Sequence, residues 1–387
     1  MTTDVAFVSS FLGAFILTII LTPLVKKVAL KGGAYVDPVK NRDERHIHTQ
    51  IIPRLGGVAI FLSFLAISLI HLGISGRLIG VLIGASLILI VGVWDDLRGL
   101  TALQKLFWQI VAAVIVVASG IGIDFITNPL GGVIQLDTLR ILLVTVNGNP
   151  YGISVWGDLL TIFWIVAMIN TLNFLDGLDG LATGVTGIGA LVVFGISLAS
   201  GGPELATALL AIILAGAALG FLPYNFYPAR IFLGDSGSMF LGFMIGVVSI
   251  IGSAKIATAL LVLGFPILDL GWVVIRRLIQ RKSPFVADRG HLHHRLLDAG
   301  LKQWQAVLLI YFICIVFGLA SLFLQGSRGE LIALVLLAGT MLLFTFGLVI
   351  IMASKKRGKN GESPTVYYLE RFFAERHEKK KSKAKSG

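Results

Sequence analysis

The sequence predicts an all-α polytopic membrane protein of about eleven transmembrane helices, with its N-terminus outside and its C-terminus inside. Two observations carry this. Apolar residues make up 56% of the 387-residue chain and charged residues 14%, against about 25% charged in an ordinary soluble domain. The basic residues are also sorted: 28 of the 32 lysines and arginines fall in alternate connections between apolar runs.

A bilayer span takes roughly 20 mostly apolar residues. Eleven runs read as spans: 5–25, 56–72, 78–94, 106–123, 157–175, 181–199, 204–222, 238–252, 256–275, 305–325 and 330–352. Connections 26–55, 95–105, 176–180, 223–237 and 276–304, with the tail beyond 352, hold most of the basic residues. The other set holds Arg77, Arg140, Lys255 and Arg328. The positive-inside rule puts the first set in the cytoplasm. The net charge of +11 is then mainly a topology signal. A nucleic-acid footprint is the weaker reading, because the basic residues sit beside spans. The first run has no basic residue before it and no small-residue cleavage site after it, so it reads as a retained span. A single cysteine, Cys314, excludes a disulfide framework and argues against a Cys-based metal site.

Between the fourth and fifth runs, Gly131-Gly132, a β-branched stretch over 133–146 and Asn147-Gly148-Asn149-Pro150 predict a small external hairpin near 128–152. Residues 1–353 form one transmembrane domain, and 354–387 form a basic cytoplasmic tail. Within the tail, Val366, Leu369, Phe372 and Phe373 line one side of a helix suited to the inner leaflet, with a disordered tail as the alternative. The polybasic stretch Lys379 to Lys385 favours anionic lipid.

Ionisable residues at membrane depth are costly and mark function by default. Asp95 and Asp96 end the third run, Asp176 and Asp179 follow the fifth, and Asp235 opens the eighth. All five fall on the side assigned to the cytoplasm from basic residues alone. Five carboxylates on one face repel each other and call for a cation. Oxygen ligands without cysteine favour Mg²⁺, with Mn²⁺ as a substitute. Lys40, Arg42, Arg45, Arg54, Arg230, Arg289 and Arg295 share this face. Acids, a metal and arginines together suit a diphosphate, which a guanidinium meets in fork geometry.

Asn170, Asn173, Asp176 and Asp179 recur every third residue, a spacing that drifts off any one helical face. Gly177 and Gly180 predict a helix end near Asp176, then a tight turn open to a ligand. Simple helix capping is the bland alternative. In Gly234-Asp235-Ser236-Gly237-Ser238, Asp235 or Ser236 reads either as an N-cap or as part of a metal–phosphate site at a helix start. His291, His293 and His294 read as phosphate or sugar contacts, with zinc or a solvated run as rivals. Asp269, inside the ninth run, reads equally as a site acid or a structural partner.

These motifs in this order resemble the polyprenyl-phosphate N-acetylhexosamine-1-phosphate transferases, over about residues 20–300. The residues carrying the resemblance are Arg54-Leu55-Gly56-Gly57, Asp95-Asp96, Asn170 to Gly180, Gly234 to Ser238, and His291-Leu292-His293-His294. The interrupted histidine run resembles the branch that uses UDP-N-acetylglucosamine and undecaprenyl phosphate to initiate teichoic acid, O-antigen or related envelope glycans. The phospho-N-acetylmuramoyl-pentapeptide transferases carry an unbroken His triplet instead. The resemblance implies about ten or eleven helices around a cytoplasmic-facing cleft in a bacterial plasma membrane, and often a homodimer. It implies Asp235 as main Mg²⁺ ligand, with Asp95 and Asp96 as catalytic acids beside the metal. It implies that Gly177, Leu178, Asp179 and Phe232 hold the uracil ring. Arg54, Asn170, Asn173, Asp176, Arg289, His291, His293 and His294 complete the expected substrate contacts.

The implied reaction is attack of a lipid phosphate on the β-phosphorus of a UDP-sugar, releasing UMP. The second pKa of a phosphate monoester is about 6, so Asp95 and Asp96 are read as organisers, with Asp95 as general base the alternative. A cation-coupled transporter is the rival from another class. It would place its acids near mid-bilayer rather than at one face.

Overall fold

The structure, a computed structural model, describes residues 3–37, 51–128, 132–146, 149–199, 205–251, 259–260, 262–280, 292–324, 329, 331–340, 342–343 and 347. The basic tail, Lys40, Arg42, Arg45, Arg289 and His291 lie outside the described residues.

The helices are α1 (Thr3–Lys31), α2 (Gly56–His71), α3 (Gly76–Arg98), α4 (Ala102–Ala118), α5 (Val155–Leu175), α6 (Leu181–Ala199), α7 (Leu205–Asn225), α8 (Gly234–Ile251), α9 (Gly264–Ile279), α10 (Leu292–Asp298) and α11 (Gln303–Phe323), followed by α12 (Leu331–Thr340). Seven of them, α1, α3, α5, α6, α7, α8 and α11, are long and apolar enough to cross a membrane. The chain is thus a mostly helical, multi-pass protein. Each expected run coincides at least in part with a described helix, but α2, α4 and α12 are shorter apolar helices, and α9, with 16 residues, covers the ninth run only from Gly264.

The membrane character shows in how the helices are turned. Helix α1 buries Ser10, Ala14, Thr18 and Thr22 and exposes Val8, Leu12, Ile16, Ile20, Leu24 and Val28. Lipid gives no hydrophobic reward for helix association, so small and hydroxylated residues line the contacts while large apolar ones face outward. The Thr18 and Ser63 hydroxyls bond across the α1–α2 contact. Helix α8 is different. It is buried without a break from Ser236 to Ser249, as expected of a helix apolar all round. It packs on α2, α3, α5 and α6 and forms the centre of the bundle. Phe240, fully buried, meets Phe61 and Phe64 edge-on.

The connection between α4 and α5 departs from expectation. Instead of one hairpin there are two: β3 (Phe125–Thr127) pairs antiparallel with β4 (Val133–Gln135), and β5 (Arg140–Val146) with β6 (Asn149–Ser154). The sequence holds two separate turn signals in this connection, Gly131-Gly132 between the strands of the first pair and Asn147-Gly148 between those of the second. A further two-residue ladder joins β1 (Tyr35–Val36) to β2 (Ile52–Pro53) and leads into α2.

The strand β2 and the start of α2 brace the loop before α8. The Phe232 amide donates to the Pro53 carbonyl, the Gly56 amide to Phe232 and the Gly57 amide to Leu233. Leu55 sits at φ 85°, a left-handed conformation that is strained for a bulky residue and survives where its surroundings fix it. Backbone then meets backbone. A methyl group on Gly57 would overlap Gly237, and one on Gly92 of α3 would overlap Ser236. The motifs Arg54-Leu55-Gly56-Gly57 and Gly234-Asp235-Ser236-Gly237 are therefore two halves of one interlock.

Candidate active site

The C-terminal ends of α3 and α5, the N-terminal end of α4 and the start of α8 lie at one end of the bundle. Their polar side chains meet there. Lys105, at the start of α4, places its Nζ 3.0 Å from Asp95 Oδ2 and 2.7 Å from Asp235 Oδ2. Asn173 Nδ2 donates to Asp235 Oδ1 at 3.0 Å and to Ser238 Oγ at 2.9 Å. Four helices thus converge on the Asp235 carboxylate. Two carboxylates sharing one ammonium are within about 6 Å, a repulsion of roughly 3 kcal/mol at an effective dielectric of 20. A cation between them removes that repulsion, and Lys105 supplies one. Sequence reasoning missed Lys105, because a lysine beginning a span reads as one more positive-inside residue. Its signal was a cation one helical connection beyond the Asp95-Asp96 pair.

Asp96 behaves differently from the metal ligand expected. Its Oδ1 accepts the Asp235 amide at 2.9 Å and its Oδ2 accepts the Ser236 amide at 3.0 Å. A helix start leaves its first amides without intrahelical partners. Here a neighbouring helix caps them with a carboxylate, which also suits the positive end of the helix dipole. Asp235 itself is not the N-cap. A methyl group on Gly234 would lie 2.5 Å from Asp96 Oδ2, so only glycine admits this capping. Asp95 Oδ1 accepts the Leu100 amide, leaving Oδ2 turned to Lys105.

The Asn170–Gly180 stretch ends as predicted: α5 stops with Asp176 as C-cap, and Gly180 takes φ 81°. Burial pushes the Asp176 carboxyl well above its ordinary 3.8, and the carboxylates of Asp235, Asp96 and Asp179 push the same way while Arg54 opposes them. Asp179 is buried and accepts the Ala229 amide at 3.0 Å, which ties the turn to the loop before α8. From α5 it is Asn173 that bonds Asp235. Asn170 donates to Gln109 Oε1, one turn deeper into the bundle, rather than lining the Asp235 cluster. Leu178 is buried, and Phe232 is half-buried beside the interlock.

His293 is buried and stands over Gly177: a methyl group there would lie 2.5 Å from His293 Nε2. The rings of His293 and His294 are 4.3 Å apart. The Leu292 amide that begins α10 donates to Asp269 Oδ1 at 2.8 Å, which makes Asp269 the structural anchor of the histidine segment. Among the described residues no group of three His, Cys, Asp or Glu side chains forms a closed metal cage. The oxygens of Asp95 and Asp235, already gathered around one cation, fit a hard divalent ion that completes its shell from a substrate.

Residues 78–253, which carry α3 to α8, match the family described as glycosyl transferase family 4. The chain is 34% identical over 328 residues to a probable undecaprenyl-phosphate N-acetylglucosaminyl 1-phosphate transferase of Bacillus subtilis, covering 83% of this chain and 85% of that protein. It is 37% identical over 346 residues to a decaprenyl-phosphate N-acetylglucosaminephosphotransferase of Mycolicibacterium smegmatis, covering 80% of each. It is 30% identical over 325 residues to a phospho-N-acetylmuramoyl-pentapeptide-transferase of Staphylococcus carnosus, covering 80% of this chain and 97% of that one. Similarity of this extent, running through every helix that builds the acidic cluster, means that the chain belongs to glycosyl transferase family 4 and is an enzyme that transfers a sugar-1-phosphate.

Proposed function

We propose that this enzyme transfers N-acetylglucosamine-1-phosphate from UDP-N-acetylglucosamine to undecaprenyl phosphate, giving undecaprenyl-diphospho-N-acetylglucosamine and UMP. In this reading the reaction initiates an envelope glycan such as teichoic acid or O-antigen at the cytoplasmic face of a bacterial plasma membrane. Eleven spans, with the N-terminus outside, carry the chain across it. The observation that carries the reading is the meeting of Asp95 and Asp235, from separate helices, around one cationic point. Relatives named for the N-acetylglucosamine reaction support the donor and the lipid acceptor.

Two anions must meet in this reaction, so charge compensation is the main task. Asp95 and Asp235 would hold Mg²⁺, or Mn²⁺ in its place. Bound there, the ion would neutralise charge on the diphosphate. The chain's own residues do the rest. Asn173 fixes the rotamer of Asp235. Lys105 provides an ammonium that can turn from the carboxylates to a phosphate. Asp96 holds the start of α8 in place, and so holds Asp235. His293, over the Gly177 turn, and Arg54, near Asp176, face the donor. The lipid phosphate is mostly dianionic above its second pKa of about 6, so Asp95 organises rather than deprotonates.

The test is UMP release from UDP-N-acetylglucosamine with added undecaprenyl phosphate, with and without Mg²⁺, and UDP-MurNAc-pentapeptide in a parallel arm. Metal-dependent UMP from the first donor alone is expected. UMP from the pentapeptide donor alone would move the chain to the peptidoglycan branch. Turnover untouched by chelation would remove the metal from the scheme.

A further inference from the structure

Beneath the charged cluster lies a second polar layer. On α4, Gln109 is one turn below Lys105; on α5, Asn170 is one turn below Asn173. On α8, Ser238 and Met239 are one turn below Asp235. Spacings of three and four residues put each pair on one helical face. Asn170 Nδ2 donates to Gln109 Oε1 at 2.8 Å and to the Val166 carbonyl at 2.8 Å. Gln109 Nε2 approaches Met239 Sδ at 3.7 Å. Gln109 is 2% exposed, and a buried amide in an apolar bundle is costly unless its bonds are made.

We propose that Gln109, bonded to Asn170, is a positioning residue that sets where Lys105 and Asn173 stand around Asp235. The Lys105 Nζ bridges two carboxylates at 3.0 and 2.7 Å at once, and the depth and rotation of its Cα decide whether one extended chain can end between them. The other buried residues of α4 are Ala112, Ala113 and Val116, whose contacts are apolar and weakly directional. Between helices in lipid, a side-chain hydrogen bond fixes register as apolar contact does not. The Gln109–Asn170 bond lies one turn from the charged layer and joins the two helices that grip Asp235 from opposite sides. A small rotation of α4 would draw Lys105 off one carboxylate. Misplacement of a charged group by about 1 Å costs about 100-fold in rate.

The inference rests on the sugar-1-phosphate transfer proposed above, but its test reads the protein in two ways. Gln109→Leu keeps the volume and removes the bond. In the full-length protein in lipid nanodiscs, kcat should fall about 10- to 100-fold, while KM for the nucleotide sugar stays within about threefold. Labelling of Lys105 by an amine-reactive reagent, mapped by mass spectrometry, should accelerate at least about threefold, because the ammonium leaves its carboxylates. This second readout needs no turnover, so it stands even if the donor is misassigned. The reciprocal pair Gln109→Asn with Asn170→Gln exchanges the two side-chain lengths. It should recover activity to within about fivefold of wild type, well above Gln109→Asn alone. Wild-type labelling and wild-type kcat per folded molecule in Gln109→Leu would overturn the proposal, whatever happens to thermal stability. So would a reciprocal pair no better than the single change.

Discussion

Replacing Asp96 with alanine separates two roles that its position beside the cluster permits. If it is a cap, the change strips partners from the Asp235 and Ser236 amides, which Asp96 now accepts at 2.9 and 3.0 Å. Hydrogen bonds to a charged acceptor contribute about 1.5–3 kcal/mol each, so the loss of two is about 3–6 kcal/mol. That is an exceptional cost for one substitution. Asp96→Asn keeps one acceptor and turns an NH₂ toward the other amide, and should lie between. The assay is thermal unfolding of purified protein at pH 8 without divalent ions, alongside UMP release. Asp235→Ala is the contrast. Its carboxylate caps nothing, so turnover should drop about 10²–10³-fold with a smaller change in unfolding midpoint. An Asp96→Ala protein as stable as wild type, yet inactive and indifferent to Mg²⁺, would refute the capping argument and restore Asp96 as a ligand.

Three further outcomes follow from the same geometry. Lys105→Met removes the cation between Asp95 and Asp235, and kcat should fall about 10²-fold or more without recovery at higher donor concentration. Gly177→Ala sets a methyl group 2.5 Å from His293 Nε2; overpacking of this kind costs about 1–3 kcal/mol, and a raised KM for the nucleotide sugar should reveal the displaced imidazole. Asp176 has a folded pKa raised above its ordinary 3.8 by burial and by neighbouring carboxylates. Its contribution to stability is therefore full below that value and lost as pH rises through the folded pKa. Asp176→Asn should raise the metal-free unfolding midpoint at pH 8 and leave it nearly unchanged at about pH 3, below the ordinary carboxyl value.

Much of this site could be read before any coordinates. Asp95, Asp96, Asp176 and Asp235 are conspicuous because each ends or begins an apolar run, and the basic residues independently gave them one side. The helix end at Asp176 followed from glycine chemistry. What stayed hidden was which partner each polar group chooses. Asp95 and Asp96 are adjacent, yet one faces an ammonium and the other a pair of backbone amides. That division depends on the rotation of α3 against α8, which no local pattern records. Lys105 was masked by the charge rule, which reads it as one more positive-inside residue. Gln109 was masked by its apolar neighbours, since one amide inside a span carries no period. The two hairpins between α4 and α5 were merged into one because two turn signals stood close together in a single connection.

The bare-backbone contacts of Gly57 and Gly92 with the start of α8 have a mechanical corollary. Where main chains touch with no side chain between them, there is nothing to rotate or compress. This floor should act as a fixed anvil while the surrounding elements give way. Entry of a long prenyl tail, or exit of a bulky product, must then be accommodated by displacement elsewhere in the bundle, and larger residues at these two glycines should abolish folding rather than retune substrate choice.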